Sequence, residues 1–181
     1  MKGIVFTEFL DLVESKFGLE MVDRIITQST LNSNGAYTAI GTYKFSEMAE
    51  LLTNLSLNTG IDVQELLLIY GEHFFTVLQE SYGTMLRQYA GPIELLNAIE
   101  NHIHVEVRKI YPEAELPSFE VLKKTDNSLI MIYKSDRAMY SFGLGLMRSA
   151  FRYFDKKATI TYTKLKTDGT EVKFDIYLLD D

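Results

Sequence analysis

At Pro112 the spacing of the apolar residues changes period, and this change constrains the fold more than any other feature of the chain. Up to Tyr111 apolar residues recur three and four apart, the spacing of one helix face. Beyond it they fall mostly into short runs of strand character, broken by one further helical stretch. A chain patterned in this order is expected to be α+β, with helices first and an antiparallel sheet after them.

In the helical part, residues 2–17 carry Val5, Phe9, Leu12 and Val13 at helical spacing, and Gly18 suits a C-terminal stop. A second helix is expected over 19–29, with Met21, Val22, Ile25 and Ile26 on one face. A polar loop follows at 30–43. Ser46 is placed to cap a third helix bearing Met48, Leu51, Leu52 and Leu55 and closing near Gly60. Asp62 and Glu65 have capping-box spacing for a fourth. Gly71 is a candidate interruption of it, and Phe74, Phe75 and Leu78 carry the pattern on to Gly83. Gly91-Pro92 opens one long helix running to Tyr111, because proline fits a first helical position and the residue before Pro112 is pushed out of the α region.

Residues 118–124 and 128–134 read as a hairpin about Thr125-Asp126-Asn127. Residues 137–155 return to helix, and 157–166 with 171–179 form a second hairpin about Asp168-Gly169. The expected architecture is a helical N-terminal subdomain plus a C-terminal four-stranded antiparallel sheet, with one long helix and one inserted helix. No repeat or linker divides it, so residues 1–181 are read as one domain.

What the chain lacks narrows its function. It has no cysteine, which removes disulfides, thiolate ligation, iron–sulfur clusters and cysteine-based zinc sites. A net charge of −7 without a long basic run argues against nucleic acid or an anionic membrane as partner. The uncharged run 138–147 is far short of the roughly 18 to 20 apolar residues of a bilayer span. Glu8 and Asp11 break the apolar N-terminus, so no signal peptide is expected and the chain is read as cytoplasmic. No phosphate-binding glycine loop, nucleophile elbow or carboxylate pair stands out, so it does not read as an enzyme.

Three histidines are present: His73, His102 and His104. On an ideal helix His104 lies within about 40° of Ile93, Asn97, Glu100 and Tyr111, and His102 lies near Leu95, Ala98 and Ile99. Spacing does not choose between them, and His102 has the more apolar neighbours. A zinc site using Glu100 or Glu106 is disfavoured, because histidines two apart point to different sides of a helix. In a strand, Tyr133, Ser135 and Arg137 point the same way, presenting two hydroxyls and a guanidinium fork suited to carboxylates. The plainer reading of that trio is a strand end with a helix cap at Ser135 or Asp136. The phenylalanines Phe9, Phe74, Phe75 and Phe142 serve equally as core or as lining for a flat apolar ligand.

Several segments together resemble the H-NOX (haem-nitric oxide/oxygen binding) family. The opening MKGIVF resembles the start of bacterial members. IHVEVRKIYP (103–112) resembles the family's proximal helix and that of the related haem domain of soluble guanylate cyclase. The family's ligand histidine stands eight residues before the Tyr-Pro proline, which here is His104. The proline that packs on and distorts the haem corresponds to Pro117, and the propionate-binding Tyr-x-Ser-x-Arg motif is Tyr133, Ser135 and Arg137. The resemblance spans essentially the whole chain.

It implies a haem b (iron protoporphyrin IX) between the helical part and the sheet part, held by His104, and a gas sensor binding nitric oxide and CO at ferrous iron. The remaining pocket positions it implies are Val5, Phe9, Phe74, Leu78, Phe142 and Leu146, none of which carries a hydrogen-bond donor. Members that bind O2 have a tyrosine where this chain has Phe142, so an O2 sensor or carrier is the lesser alternative, with His73 as the one residue that could turn inward. The resemblance further implies that nitric oxide weakens the iron–His104 bond, relaxes the haem against Pro117 and shifts the N-terminal part. The output is expected to pass to a separate histidine kinase or cyclic-di-GMP enzyme.

Overall fold

The computed structural model describes residues 1–179, which form seven α-helices, one π-helical turn and a four-stranded sheet. The α+β architecture expected from the change of period is present. The chain divides into two compact units, the first ending at Tyr70 and the second beginning at Gly71.

The first unit contains α1 (Ile4–Phe17), α2 (Leu19–Gln28), α3 (Phe45–Thr59) and the opening turns of α4 (Val63–Leu86). Its core is drawn from the set read from helical spacing, namely Phe9, Leu12 and Val13 of α1, Ile25 of α2, and Met48, Leu51, Leu52 and Leu55 of α3, together with Phe6 and Tyr70, whereas Val5, Met21, Val22 and Ile26 of that set are only half-buried. The polar loop folds back through Tyr37, whose ring stacks on Phe6 at 4.5 Å. The Tyr37 hydroxyl donates to the buried carboxylate of Glu47 at 2.8 Å. Ser46 does not cap α3. The cap position falls on Lys44, and the helix begins at Phe45, so Ser46 lies inside the first turn. Gly60 closes α3 with φ +74, a left-handed conformation in which a side chain would be strained. Asp62 caps α4, its carboxylate accepting from the Gln64 amide at 2.8 Å.

The second unit holds the rest of α4, then α5 (Pro92–Asn97), the π turn (Ile99–Ile103), α6 (His104–Ile110), β1 (Ser118–Lys124), β2 (Ser128–Lys134), α7 (Tyr140–Tyr153), β3 (Ala158–Lys164) and β4 (Glu171–Leu178). The strands pair antiparallel in the order β1-β2-β4-β3. Alternate residues Leu129, Met131 and Tyr133 of β2 and Val172, Phe174 and Ile176 of β4 form the buried face, at 0–2% exposure. A bulge between Val121 and Lys123 breaks the β1 register and leaves Leu122 exposed.

Three expectations are corrected in this unit. Gly71 does not interrupt α4, which runs on to Leu86 with a kink at Tyr82. The helix expected from residue 137 begins at Tyr140, because Ala138 adopts φ +50 and turns the chain out of β2 first. The single helix expected over 92–111 is three pieces. The amides of Ile103 and His104 bond to the carbonyls of Ala98 and Ile99, five residues back rather than four.

Candidate functional site

The π turn decides which histidine is enclosed. A five-residue turn advances fewer degrees per residue than an α turn, so everything after it is rotated from its ideal-helix position. His104, the first residue of α6, is buried at 8% exposure. His102, which ideal spacing gave the more apolar neighbours, is only half-buried, and its Nδ1 lies 2.6 Å from the Tyr89 hydroxyl.

His104 is held by a carboxylate. Its Nδ1 lies 3.2 Å from Oε2 of Glu100, one α-helical turn back in sequence. An ionised carboxylate only accepts hydrogen bonds, so the imidazole proton sits on Nδ1 and the lone pair on Nε2. Burial holds the His104 pKa below the ordinary 6.5, and the nearby Arg108 charge acts the same way, while Glu100 pulls against both. The neutral form that a metal requires is therefore favoured.

From His104 a row of rings leads to the second constellation. The Phe119 ring centroid is 6.0 Å from His104 and 5.6 Å from Tyr133. Tyr133, buried at the end of β2, accepts from the Met139 amide at 3.0 Å and keeps its own proton free to donate. Burial raises its pKa most, against the lowering effects of a hydrogen bond from Ser135 and the Arg137 charge. The Ser135 Oγ accepts from the Arg137 amide at 3.3 Å. Tyr133, Ser135 and Arg137 are thus gathered at one corner, where β2 passes through Ala138 into α7. Neither Ser135 nor Asp136 caps that helix, whose cap position is Met139. The guanidinium of Arg137 donates to the backbone carbonyl of Glu115 at 2.8 Å and also pairs with the Glu115 carboxylate.

On α4 and α7 the expected apolar positions stand at i, i+4 spacing, Phe74 with Leu78 and Phe142 with Leu146. The rings of Phe74 and Phe142 are 5.6 Å apart. Phe142 and Leu146 stay half-buried on a helix whose neighbouring residues Ser141, Leu144 and Met147 are buried. Pro117, half-buried, lies just before β1. His73 is half-buried with its Nε2 shielded from solvent. In the first unit, Phe9 is buried against Tyr70, ring centroids 5.4 Å apart, and the half-buried Val5 accepts the Tyr70 hydroxyl through its carbonyl at 2.6 Å.

Two partners, Phe119 and Glu115, were not expected from the sequence, and Glu100 was placed on the His104 face but given no role beyond a disfavoured zinc site. Glu100 was legible from its spacing to His104. Glu115 carried no signal, because its contact with Arg137 spans 22 residues.

Among the described residues no three histidine, aspartate or glutamate side chains gather into a metal-holding group. A metal taken by His104 must bring its remaining ligands with it, as iron in a porphyrin does. The residues fit that group: a neutral imidazole with its Nε2 lone pair available, apolar faces half-covered by protein, and a guanidinium that already holds a carboxylate. No helix among the described residues is long and apolar enough to cross a membrane.

The comparisons agree with this fit. The family model of haem-NO-binding domains matches residues 2–162. The Fe(II) unliganded H-NOX protein of K. algicida is 64% identical and superimposes with a TM-score of 0.99, over 100% of this chain and 98% of that one. The Shewanella woodyi H-NOX, solved in its Fe(II)CO state, is 35% identical with a TM-score of 0.82, over 98% of this chain and 94% of that one. Soluble guanylate cyclase 89Db of Drosophila melanogaster is 23% identical over 85% of this chain, which spans only 23% of that protein's length. The chain therefore belongs to the haem-NO-binding (H-NOX) family of haem-based gas sensors.

Proposed function

We propose that this chain holds haem b on His104 and reports nitric oxide, with CO as a second gas ligand, to a separate signalling protein. The observation that carries the reading is the state of His104: buried, with its Nδ1 proton committed to Glu100 and its Nε2 left for a metal. When bound, the haem would supply an iron able to take a diatomic gas.

The chain's own residues do the rest. His104 Nε2 would be the nitrogen that holds the iron. Arg137 and the hydroxyls of Tyr133 and Ser135 satisfy the propionates, which would be costly to bury unpaired. Phe74, Leu78, Phe142 and Leu146 supply apolar wall and exclude water. The roles of Pro117, Val5 and Phe9 rest on the family resemblance alone.

The choice of gas follows from Phe142. Bound O2 carries partial negative charge and gains from a hydrogen-bond donor, whereas nitric oxide on ferrous iron gains little. A phenylalanine offers none. The CO-ligated S. woodyi relative supports CO as a ligand here. Release of His104 would free the π turn and α6 and alter the surface offered to a partner. A histidine kinase or a cyclic-di-GMP enzyme, reached in the cytoplasm, suits the family. The net charge of −7 suits a basic docking face on that partner.

The test is an absorption spectrum of ferrous protein under argon, then air, then nitric oxide. The expected result is a five-coordinate ferrous haem that binds nitric oxide and CO and forms no stable complex in air. A His104→Gly protein that keeps the same iron–histidine spectrum would overturn the assignment.

A further inference from the structure

We infer that Glu100 is a positioning residue that sets the donor strength of His104 and joins that histidine to strand β1. The inference rests on the haem-binding reading above and goes beyond it, because no motif of the resemblance includes Glu100.

One oxygen makes the link. Glu100 Oε2 lies 3.2 Å from His104 Nδ1 and accepts from the backbone amide of Phe119 at 3.1 Å. The other oxygen, Oε1, lies 3.6 Å from the Arg108 guanidinium. The Glu100 side chain is 31% exposed yet has three partners from α6 and β1, so its carboxylate has little freedom to turn away. The spacing of four residues would bring Glu100 beside His104 in any helix. The bond to Phe119 is different in kind. It is tertiary, formed where the π turn lies along β1.

Two consequences follow. An anionic acceptor on Nδ1 draws the imidazole proton toward itself and raises the electron density at Nε2, which strengthens that nitrogen as a metal ligand. A neutral acceptor at the same place does this less. The shared oxygen also means that a pull on the imidazole is felt at the amide of Phe119. The Phe119 ring stands between His104 and Tyr133. His104 and the corner of Tyr133, Ser135 and Arg137 are thereby linked through one carboxylate and one ring.

A merely structural Glu100 would tie the π turn to β1 and do nothing to the iron. Glu100→Gln separates the two roles, since its amide oxygen can still accept from Phe119 while the charge is gone. In the haem-loaded ferrous protein the iron–histidine stretching band should move to lower frequency and the ferric/ferrous midpoint should rise. Haem transfer to excess apomyoglobin should accelerate about tenfold or more. In the haem-free protein, the ¹⁵N shifts of the His104 ring should show a proton on Nδ1 in wild type and a mixture of tautomers in Glu100→Gln. A wild-type band of normal position with an unmoved Glu100→Gln band and midpoint, in a protein of unchanged circular dichroism, would overturn this inference alone. A wild type with no iron–histidine band would overturn the haem reading itself, and this inference with it.

Discussion

A β-carbon built on Gly71 would fall inside 3.0 Å of the Phe142 backbone carbonyl, so α4 and α7 meet there backbone to backbone. The approach fixes the spacing of two helices that carry Phe74 and Phe142. Gly71→Ala must part them by roughly 1 Å or distort one of them, at a cost of about 1–3 kcal/mol. The check is a urea-unfolding midpoint together with a crystal structure. An unchanged midpoint with superimposable helices would show that the contact is not tight.

Phe142→Tyr adds a hydroxyl to the α7 wall. If the apolar wall is what denies O2 a hydrogen bond, the ferrous variant should show an oxy spectrum in air that wild type lacks. Nitric oxide binding should change little, since that ligand gains little from a donor. Rapid mixing of ferrous protein with air-saturated buffer reads the difference.

Arg137 is assigned to the propionates, and its pairing with Glu115 shows its fork engaged by a carboxylate. Arg137→Met should weaken haem retention by about 1.5–3 kcal/mol, the range for hydrogen bonds to charged groups, or roughly 10- to 100-fold in dissociation rate. Ser135→Ala removes one neutral hydroxyl and should cost about 0.5–1.5 kcal/mol. Transfer of haem to apomyoglobin measures both, and equal rates in Arg137→Met and wild type would remove Arg137 from the site.

Burial holds the phenols of Tyr70 and Tyr133 above their ordinary value near 10. Below pH 10 both the folded and unfolded chains keep these protons, and stability is unaffected. Above it the unfolded chain loses them first. Haem-free protein should then lose about 1.4 kcal/mol per pH unit for each tyrosine, until the native phenols also ionise. Urea midpoints taken from pH 8 to 11 should fall less steeply in Tyr70→Phe, and an identical slope would count against a raised native pKa.

The fold was largely legible because its signals are local. The β1 and β2 boundaries at 118–124 and 128–134 coincide with those read from two runs of strand character about the Thr125-Asp126-Asn127 turn, since turn residues punctuate a chain locally. Gly18 and Gly60 end helices at the places expected. The departures arise where tertiary contacts outweigh local preference. Ile-Glu-Asn-His-Ile carries no mark separating a π turn from an α turn, and a bond such as Glu100 to Phe119, 19 residues away, lies outside any local pattern. The gathering of Tyr133, Ser135 and Arg137 was legible as strand spacing. The partner of Arg137 at Glu115 was not, because an irregular segment places it.

The wide turn before His104 also changes how the histidine's position must be counted. Stepping forward from Pro92 at 100° per residue goes astray after Ala98, whereas stepping back from Ile110 to His104 crosses only regular helix. The turn takes up one spare residue by widening, and the widening is what keeps the imidazole pointing where it points. Deleting one of residues 99–103 would let the segment close into an unbroken α-helix with His104 facing much as it does now, whereas closing the turn with all five residues kept would swing His104 by roughly 100° against everything upstream. At this place the width of one turn, more than the identity of its side chains, aims the imidazole.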